Sequence, residues 1–249
     1  MSFTATFRFH GSLQDFLPAK IRQQVKLYAF TTPSSIKDAV EAIGVPHVEV
    51  RKVVVNNEEK GFTYLLQPSD NIEVFPSDQG LPVTVAAAFV LDVHLGKLAR
   101  LLRMLGIDAV YENHYRESEI VAISASENRA VLTRDAGLLK HKVLTQGYWL
   151  RSQWPEEQLL EVIRYFSLCT AFVPFSRCIR CNGMLLKVAK DKIIALLPPQ
   201  TQACFDEFYQ CESCKKVCWK GSHFENMLSV MEKIKSVACH GVSALNAVT

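Results

Sequence analysis

The first 168 residues of this 249-residue chain contain no cysteine; all eight lie between Cys169 and Cys239. Thiol chemistry is therefore excluded from the front two thirds and confined to a C-terminal segment. No run of 18 apolar residues occurs, which excludes a membrane-spanning helix. The opening MSFTATFRFHG alternates apolar and polar residues and lacks the basic-then-apolar order of a secretory leader. A cytoplasmic location is expected. With it come cysteines that act as thiols or metal ligands, not as a disulfide framework. There is no internal repeat and no low-complexity segment, so solenoids and linker-like chains are excluded. Neither sign of charge dominates: 28 Lys+Arg face 25 Asp+Glu. The apolar share of 49% excludes wholesale disorder.

The charge that is present has a gradient. Residues 1–80 hold 8 basic and 9 acidic residues, residues 81–172 hold 10 and 10, and residues 173–249 hold 10 and 6. The last third thus carries the cysteines and a modest positive excess, a weak pointer to nucleic acid. Hydrophobic patterning divides the chain further. Residues 3–10 and 24–30 alternate as strands, Ser34 and Ser35 cap a helix over Ile36–Ile43 that Gly44 ends, and Val53–Val55 precede an Asn56-Asn57 turn. Leu65-Leu66 and Ile72–Phe75 complete a β-β-α-β-β order, that of a ubiquitin-like grasp. Pro76–Pro82 reads as a linker.

Residues 84–172 alternate between strands and helices. TVAAAFVLD is a continuous apolar strand ending at Asp92, and Leu95, Leu98, Leu102 and Leu105 repeat at helical spacing as far as Gly106. Ile107–Tyr111, Ala130–Thr133 and Tyr148–Leu150 read as strands. Glu117–Glu127, a short stretch from Ala136 to about Leu144, and Glu156–Phe166 read as helices. Continuous apolar strands alternating with helices imply a parallel sheet covered on both faces. Ligands of such sheets sit beyond the carboxyl ends of the strands. Asp92 and Asp135 occupy those ends, and Glu117 and Glu119 begin the helix after the second strand. Carboxylates gathered there repel one another unless a cation compensates, and hard oxygens suit Mg²⁺ or Mn²⁺. Taken singly, each acid also suits helix capping. Lys97, Arg100 and Arg103 recur every three residues after Asp92; Arg134 adjoins Asp135; Arg151 follows the fourth strand. Lys97, Arg100, Arg134 and Arg151 are candidates for holding phosphates. Arg103 is expected on a solvated helix face.

From Pro174 onward the pattern breaks into turns and paired cysteines. Cys178-Ile179-Arg180-Cys181 and Cys211-Glu212-Ser213-Cys214 are two CxxC pairs separated by 29 residues. Two such turns supply four thiolates in the tetrahedral arrangement that Zn²⁺ prefers, with no position left open for chemistry. Cys218 is an alternative to Cys214, and the long intervening stretch is expected to hold a hairpin or extra strands. Cys169 and Cys204 are expected as buried thiols. A last helix is expected after Met231. Trp219 and Lys220 follow the second pair and suit either RNA contact or, for Trp219, packing over the metal site.

Asp92-Val93-His94-Leu95-Gly96-Lys97-Leu98-Ala99-Arg100-Leu101-Leu102-Arg103-Met104-Leu105-Gly106 resembles a motif of the Mut-seven C-terminal RNase domain family. The stretches Glu117-Ser118-Glu119-Ile120 and Asn128–Asp135 resemble its second block, and Cys218-Trp219-Lys220-Gly221-Ser222-His223-Phe224 its end motif. The resemblance covers about residues 84–226. It implies a PIN-like α/β nuclease with a fused zinc ribbon, and it implies Asp92, Asp135 and one or both of Glu117 and Glu119 as metal-binding, catalytic acids. Glu117 stands where relatives often carry Asp, and the further acid that many PIN nucleases place after the third strand is absent from Ala136-Gly137-Leu138-Leu139. The front segment is similar to the ubiquitin-like domain fused to some members, through Ser35–Pro46 and Leu66–Ile72. It runs on into Ser77-Asp78-Gln79-Gly80-Leu81 without a free Gly-Gly end, so sulfur-carrier chemistry is not expected of it.

The expected organisation is a ubiquitin-like β-grasp domain (1–78), a PIN-like parallel-sheet domain (84–172), and a zinc ribbon with a C-terminal tail (173–249). The expected function is metal-dependent hydrolysis of RNA, with structural Zn²⁺ and catalytic Mg²⁺ or Mn²⁺. Lys97, Arg100, Arg134, Arg151 and Lys220 would bind RNA, and the front domain would meet a protein partner. A non-catalytic RNA- or ribosome-binding protein is the alternative.

Overall fold

The computed structural model describes residues 2–76 and 88–239. In chain order the elements are β1 (Phe3–Phe9), β2 (Lys26–Phe30), α1 (Ile36–Ile43), β3 (Val50–Val55), β4 (Glu58–Glu59), β5 (Asn71–Pro76), β6 (Ala88–Leu91), α2 (Gly96–Met104), β7 (Asp108–Val110), α3 (Glu117–Glu127), β8 (Ala130–Thr133), β9 (Gly147–Trp149), α4 (Pro155–Tyr165), β10 (Leu185–Val188), α5 (Lys190–Ile193), α6 (Pro199–Cys204), β11 (Phe208–Cys211), β12 (Val217–Trp219) and α7 (Ser222–Cys239). They pack as two compact units. One is Met1–Val83 with Arg116–Leu150; the other is Thr84–Tyr115 with Arg151–Thr249.

In the first unit, β1 pairs antiparallel with β2 and parallel with β5, and β3 pairs antiparallel with β5 and β4. The sheet order is β2-β1-β5-β3-β4. Alternation turns Ala5, Phe7 and Phe9 of β1 inward, where they meet Ile36 and Val40 of α1 and Ile72 and Val74 of β5. Burying each of the larger of these side chains contributes roughly 1.5–3 kcal/mol. Ser35 caps α1 by accepting the Asp38 N–H at 3.1 Å, and Gly44 ends it at φ 128°. Asn56 and Asn57, both at positive φ, make the β3–β4 turn. Leu65 forms only an isolated bridge with Ser35, so the expected strand there is absent.

The same unit holds α3, β8 and β9, the last two a parallel pair. The expected helix from Ala136 to Leu144 is a single 3₁₀ turn, Leu138–Lys140. Several bonds fasten the grasp fold to this segment. His47 Nε2 lies 2.9 Å from the Leu144 carbonyl, the Lys37 ammonium donates to the Lys142 carbonyl at 3.1 Å, and buried Glu49 accepts the Trp149 N–H at 2.5 Å. The rings of Phe16 and Trp149 lie 4.9 Å apart.

In the second unit, β6 and β7 form a parallel pair. Leu98, Ala99, Leu102 and Leu105 form the buried stripe of α2 and its C-terminal end. Gly106 then turns the chain at φ 82°; a Cβ there would stand 2.1 Å from the Val173 carbonyl oxygen, so no other residue fits. β10, β11 and β12 form an antiparallel sheet over a small core of Ile193, Leu197 and Phe208. The stretch between the two CxxC pairs thus holds an extra strand, β10, as expected, and two short helices before β11 that were not expected. The last helix begins nine residues before Met231, at Ser222. Cys169 is bonded to Cys239 and Cys204 is exposed, so neither is the buried thiol expected of it. The bond between segments 70 residues apart overturns the expectation, drawn from the absence of a leader, that the cysteines act only as thiols or metal ligands. The linker 77–82, residues 84–87 and the tail from 240 lie outside the described residues. Among the described residues no helix is long and apolar enough to cross a membrane.

Candidate functional site

Two turns carry the paired cysteines. In the first, Asn182 N–H donates to the Cys178 carbonyl at 2.9 Å and Cys178 N–H to the Gly183 carbonyl at 2.7 Å, with Asn182 at φ 71°. In the second, Lys215 N–H donates to the Cys211 carbonyl at 3.1 Å, with Lys215 at φ 60°. The four sulfurs lie within 4.8 Å of one another. Cys178 and Cys214 are 3.8 Å apart, and Cys181 and Cys211 3.4 Å. Four thiolates at Zn–S distances of about 2.3 Å on a tetrahedron would stand about 3.8 Å apart, so the donor set and its spacing fit a soft, four-coordinate ion. A Cβ at Gly183 would fall 3.0 Å from Cys211 Sγ and 2.4 Å from Ser213 Oγ, so the glycine lets the second turn close on the first. Burial pushes the Cys178 thiol up to about 12. A bound cation reverses that preference by stabilising the thiolate. Cys218 lies outside the four-sulfur group.

The first turn is keyed to α2 and β7. Arg103 is 3% exposed. Its guanidinium donates to the carbonyls of Ala109 at 2.8 Å, Ile179 at 3.2 Å, Arg180 at 2.8 Å and Tyr111 at 3.4 Å. Asn182 accepts the Ala109 N–H at 3.1 Å and donates to Asp108 at 2.7 Å, and Arg177 pairs with Asp108 at 3.1 Å. The expectation of a solvated Arg103 is therefore corrected. Position 103 lies four residues after Ala99, on the buried stripe, and that spacing was the available signal.

A cleft of about 1560 Å³ opens between α2, the cysteine turns, β12 and α7. Lys97, Arg100, Arg180 and Lys216 line it, with Arg177 and Lys220, against a single carboxylate, Glu156. Phe175, Tyr209, Trp219 and Phe224 add aromatic surface. Lys97, Arg100 and Lys220, three of the five candidate RNA contacts, meet here. Lys220 is engaged by Glu207 at 2.7 Å. The Lys220 ammonium holds the Glu207 carboxyl down to about 2, helped by Tyr209. Arg134 belongs to the other unit, and Arg151 does not line the cleft.

Each acid is positioned by its own element. Asp92 directly follows β6 at the N-cap of a 3₁₀ turn, without a side-chain capping bond. Asp135 lies two residues past β8; its N–H donates to Thr133 Oγ1 at 2.9 Å, and its carboxylate accepts the Gly137 N–H at 2.7 Å. Glu117 pairs with His141 at 2.7 Å. Glu119 accepts the Arg116 N–H at 2.7 Å, closing the first turn of α3. Among the described residues, the four cysteines are the one group of three or more His, Cys, Asp or Glu with ligand atoms within 4.8 Å.

The model of the Mut7-C RNAse domain matches residues 87–231, more than half of the chain. The chain belongs to this family. The Mut7-C ubiquitin model matches residues 2–81 ahead of it. No curated protein and no solved structure matches the chain. The Mut7-C RNAse match takes in the four acids, the cysteine cluster and α7 as far as Met231. Arg103 and Asp108, which orient the first cysteine turn, and the aromatic residues Phe175, Tyr209 and Phe224 in the cleft lining were not expected from the sequence, whereas Asn182 as a turn residue and Trp219 as a candidate contact were. For Phe175, Tyr209 and Phe224 no local signal exists, because their sequence neighbours differ and only tertiary packing assembles them.

Proposed function

We propose that this protein is a metal-dependent ribonuclease whose zinc ribbon helps hold the RNA. The observation that carries the reading is the family match over residues 87–231. The four-cysteine cluster would hold Zn²⁺ as a structural ion, since four sulfurs leave no open position. Asp92 and Asp135 would hold Mg²⁺ or Mn²⁺, with Glu117 or Glu119 as a further acid. Mg²⁺ keeps several waters and needs only one or two direct carboxylates, so the absence of a tight three-acid group among the described residues is compatible with it. When bound, such a cation supplies an activated water and offsets charge on the phosphodiester. Asp92 sits at a strand end without a capping bond from its side chain. Asp135 is held in place by its turn to Gly137 and by Thr133. Lys97, Arg100 and Lys220 in the cleft, together with Arg134 and Arg151, would bind phosphates. The three segments 1–78, 84–172 and 173–249 would divide the work into partner binding, hydrolysis and RNA grip. Six free cysteines accord with a cytoplasmic location, and the Cys169–Cys239 disulfide counts against it.

Mn²⁺-dependent cleavage of RNA is expected, and Asp92→Asn and Asp135→Asn should each lower it by at least a hundredfold while zinc content stays at one per chain. Undiminished cleavage in both variants would remove the proposed site. A second reading, non-catalytic RNA binding, is favoured by the commitment of Glu119 to its helix cap. RNA affinity with no cleavage under any divalent ion would select it.

A further inference from the structure

The front sheet has two edges of unlike character. One is β4, only two residues long and made of Glu58 and Glu59, with Lys60 2.6 Å from Glu58 and Lys52 3.7 Å from Glu59. A strand that short and acidic offers an incoming chain little backbone to pair with. The other edge is β2, which among the described residues pairs only with β1. Alternate residues of β2 therefore turn their N–H and C=O groups away from the sheet. The open face of this edge is apolar. Leu27 is 63% exposed and Val25 47%, while Tyr28 and Phe30, one step out of phase, join the core. The charge here has one sign: residues 16–37 contain Lys20, Arg22, Lys26 and Lys37 and no Asp or Glu. Lys20 and Arg22 are exposed on the approach to β2.

Unpaired backbone groups, exposed aliphatic side chains and cations in one place are met together by an extended peptide that carries acids. RNA would answer the cations and leave the strand edge and the aliphatic row unmet. The β2 of a second copy would bring no acid, since the same stretch holds none. We propose that β2 is the docking edge for an extended, acidic segment of a partner protein, which adds a sixth strand to this five-stranded sheet. Its backbone pairs with β2, its aliphatic side chains lie against Val25 and Leu27, and its carboxylates meet Lys20, Arg22 and Lys26. The proposal rests on, and deepens, the partner-binding role proposed for segment 1–78.

The test uses the full chain and a labelled synthetic peptide of about ten residues, the upper end of common strand lengths, with a core of Val and Ile flanked by Asp and Glu. The controls are the same core flanked by Lys, and the acidic peptide with Pro at alternate core positions, which removes the donors of a strand. By fluorescence anisotropy the acidic peptide should bind at least about tenfold more tightly than either control. Its binding should slow amide exchange along residues 26–30 and not along residues 58–59. Leu27→Asp alters a solvent-exposed side chain, so it should leave the melting temperature in place and weaken binding about tenfold. Lys20→Glu combined with Lys26→Glu should turn the preference toward the Lys-flanked peptide. Equal binding of the acidic peptide and its controls, binding that Leu27→Asp leaves unchanged, or slowed exchange only at other strands overturns the proposal. An RNA oligonucleotide that protects β2 better than the peptide does makes the edge a nucleic-acid contact and overturns it too. Photo-cross-linking of the full chain in an extract of its source cells separates the two readings. Partner cross-links elsewhere in residues 1–78 remove the edge alone. The lack of any cross-link within residues 1–78 removes the partner-binding role, and the edge with it.

Discussion

At the scale of single residues, two side chains decide how the cysteine-rich part is held. Arg103 is a buried cation compensated by carbonyl oxygens instead of a carboxylate. Burial lowers its guanidinium pKa below the usual value, and nearby Glu112 opposes this. Arg103→Met keeps the stem and strips the donors from four carbonyls. It should cost about 2–4 kcal/mol in stability, measured by thermal unfolding, since bonds to charged groups are worth roughly 1.5–3 kcal/mol and the orphaned carbonyls cannot all reach water. Glu207 is the second. Its carboxyl is depressed to about 2 by Lys220, so the stability it adds is present above its unfolded value and is lost as pH falls from about 4.5 through 2. The melting difference between the native chain and Glu207→Gln should therefore close over that window. At neutral pH, Glu207→Gln should raise RNA affinity by releasing Lys220 for the phosphate contact proposed above.

At the scale of elements, α3 shows what local chemistry can and cannot convey. Its bounds, Glu117–Glu127, follow from the sequence because acids at the start and Asn128 in the left-handed region at the end are local signals. The role of Glu119 was not legible, because a carboxylate in a first turn suits a cap and a metal site equally. The two separate experimentally: Glu119→Ala should lose about 1 kcal/mol of stability, and Glu119→Gln should restore it, since Gln also serves at the third position of a capping box. If Glu119→Gln is stable but inactive, the acid is a ligand as well. The stretch 136–144 reads as a helix through Leu138, Leu139 and Leu144. Only one 3₁₀ turn forms, because Asp135 spends its carboxylate on the Gly137 N–H and Val143 faces solvent. The CxxC pairs were legible outright, since their spacing alone dictates the turn. The insert between them was not. Its core of Ile193, Leu197 and Phe208 is too small to leave a periodic trace.

At the scale of the whole molecule, the same small core means that the ribbon would depend on an ion held by its four cysteines, as proposed above. Removing the metal with a chelator should abolish amide-exchange protection across residues 178–219 and leave β1–β5 protected. Uniform loss across the chain would contradict that independence. The disulfide between Cys169 and Cys239 escaped sequence reading because no local pattern links residues 70 apart. Each of the two units is assembled from two stretches of chain, and the front one joins residues 1–83 to residues 116–150. Phe16, Glu49 and His47 of the grasp fold supply partners to Trp149 and Leu144. A protein trimmed to begin after residue 83 would therefore not be a self-contained RNAse-family domain. It would carry a bared indole and three backbone groups, those of Lys142, Leu144 and Trp149, stripped of the partners that the amino-terminal third supplies, so the front part is a lining of the segment that follows and not a detachable tag.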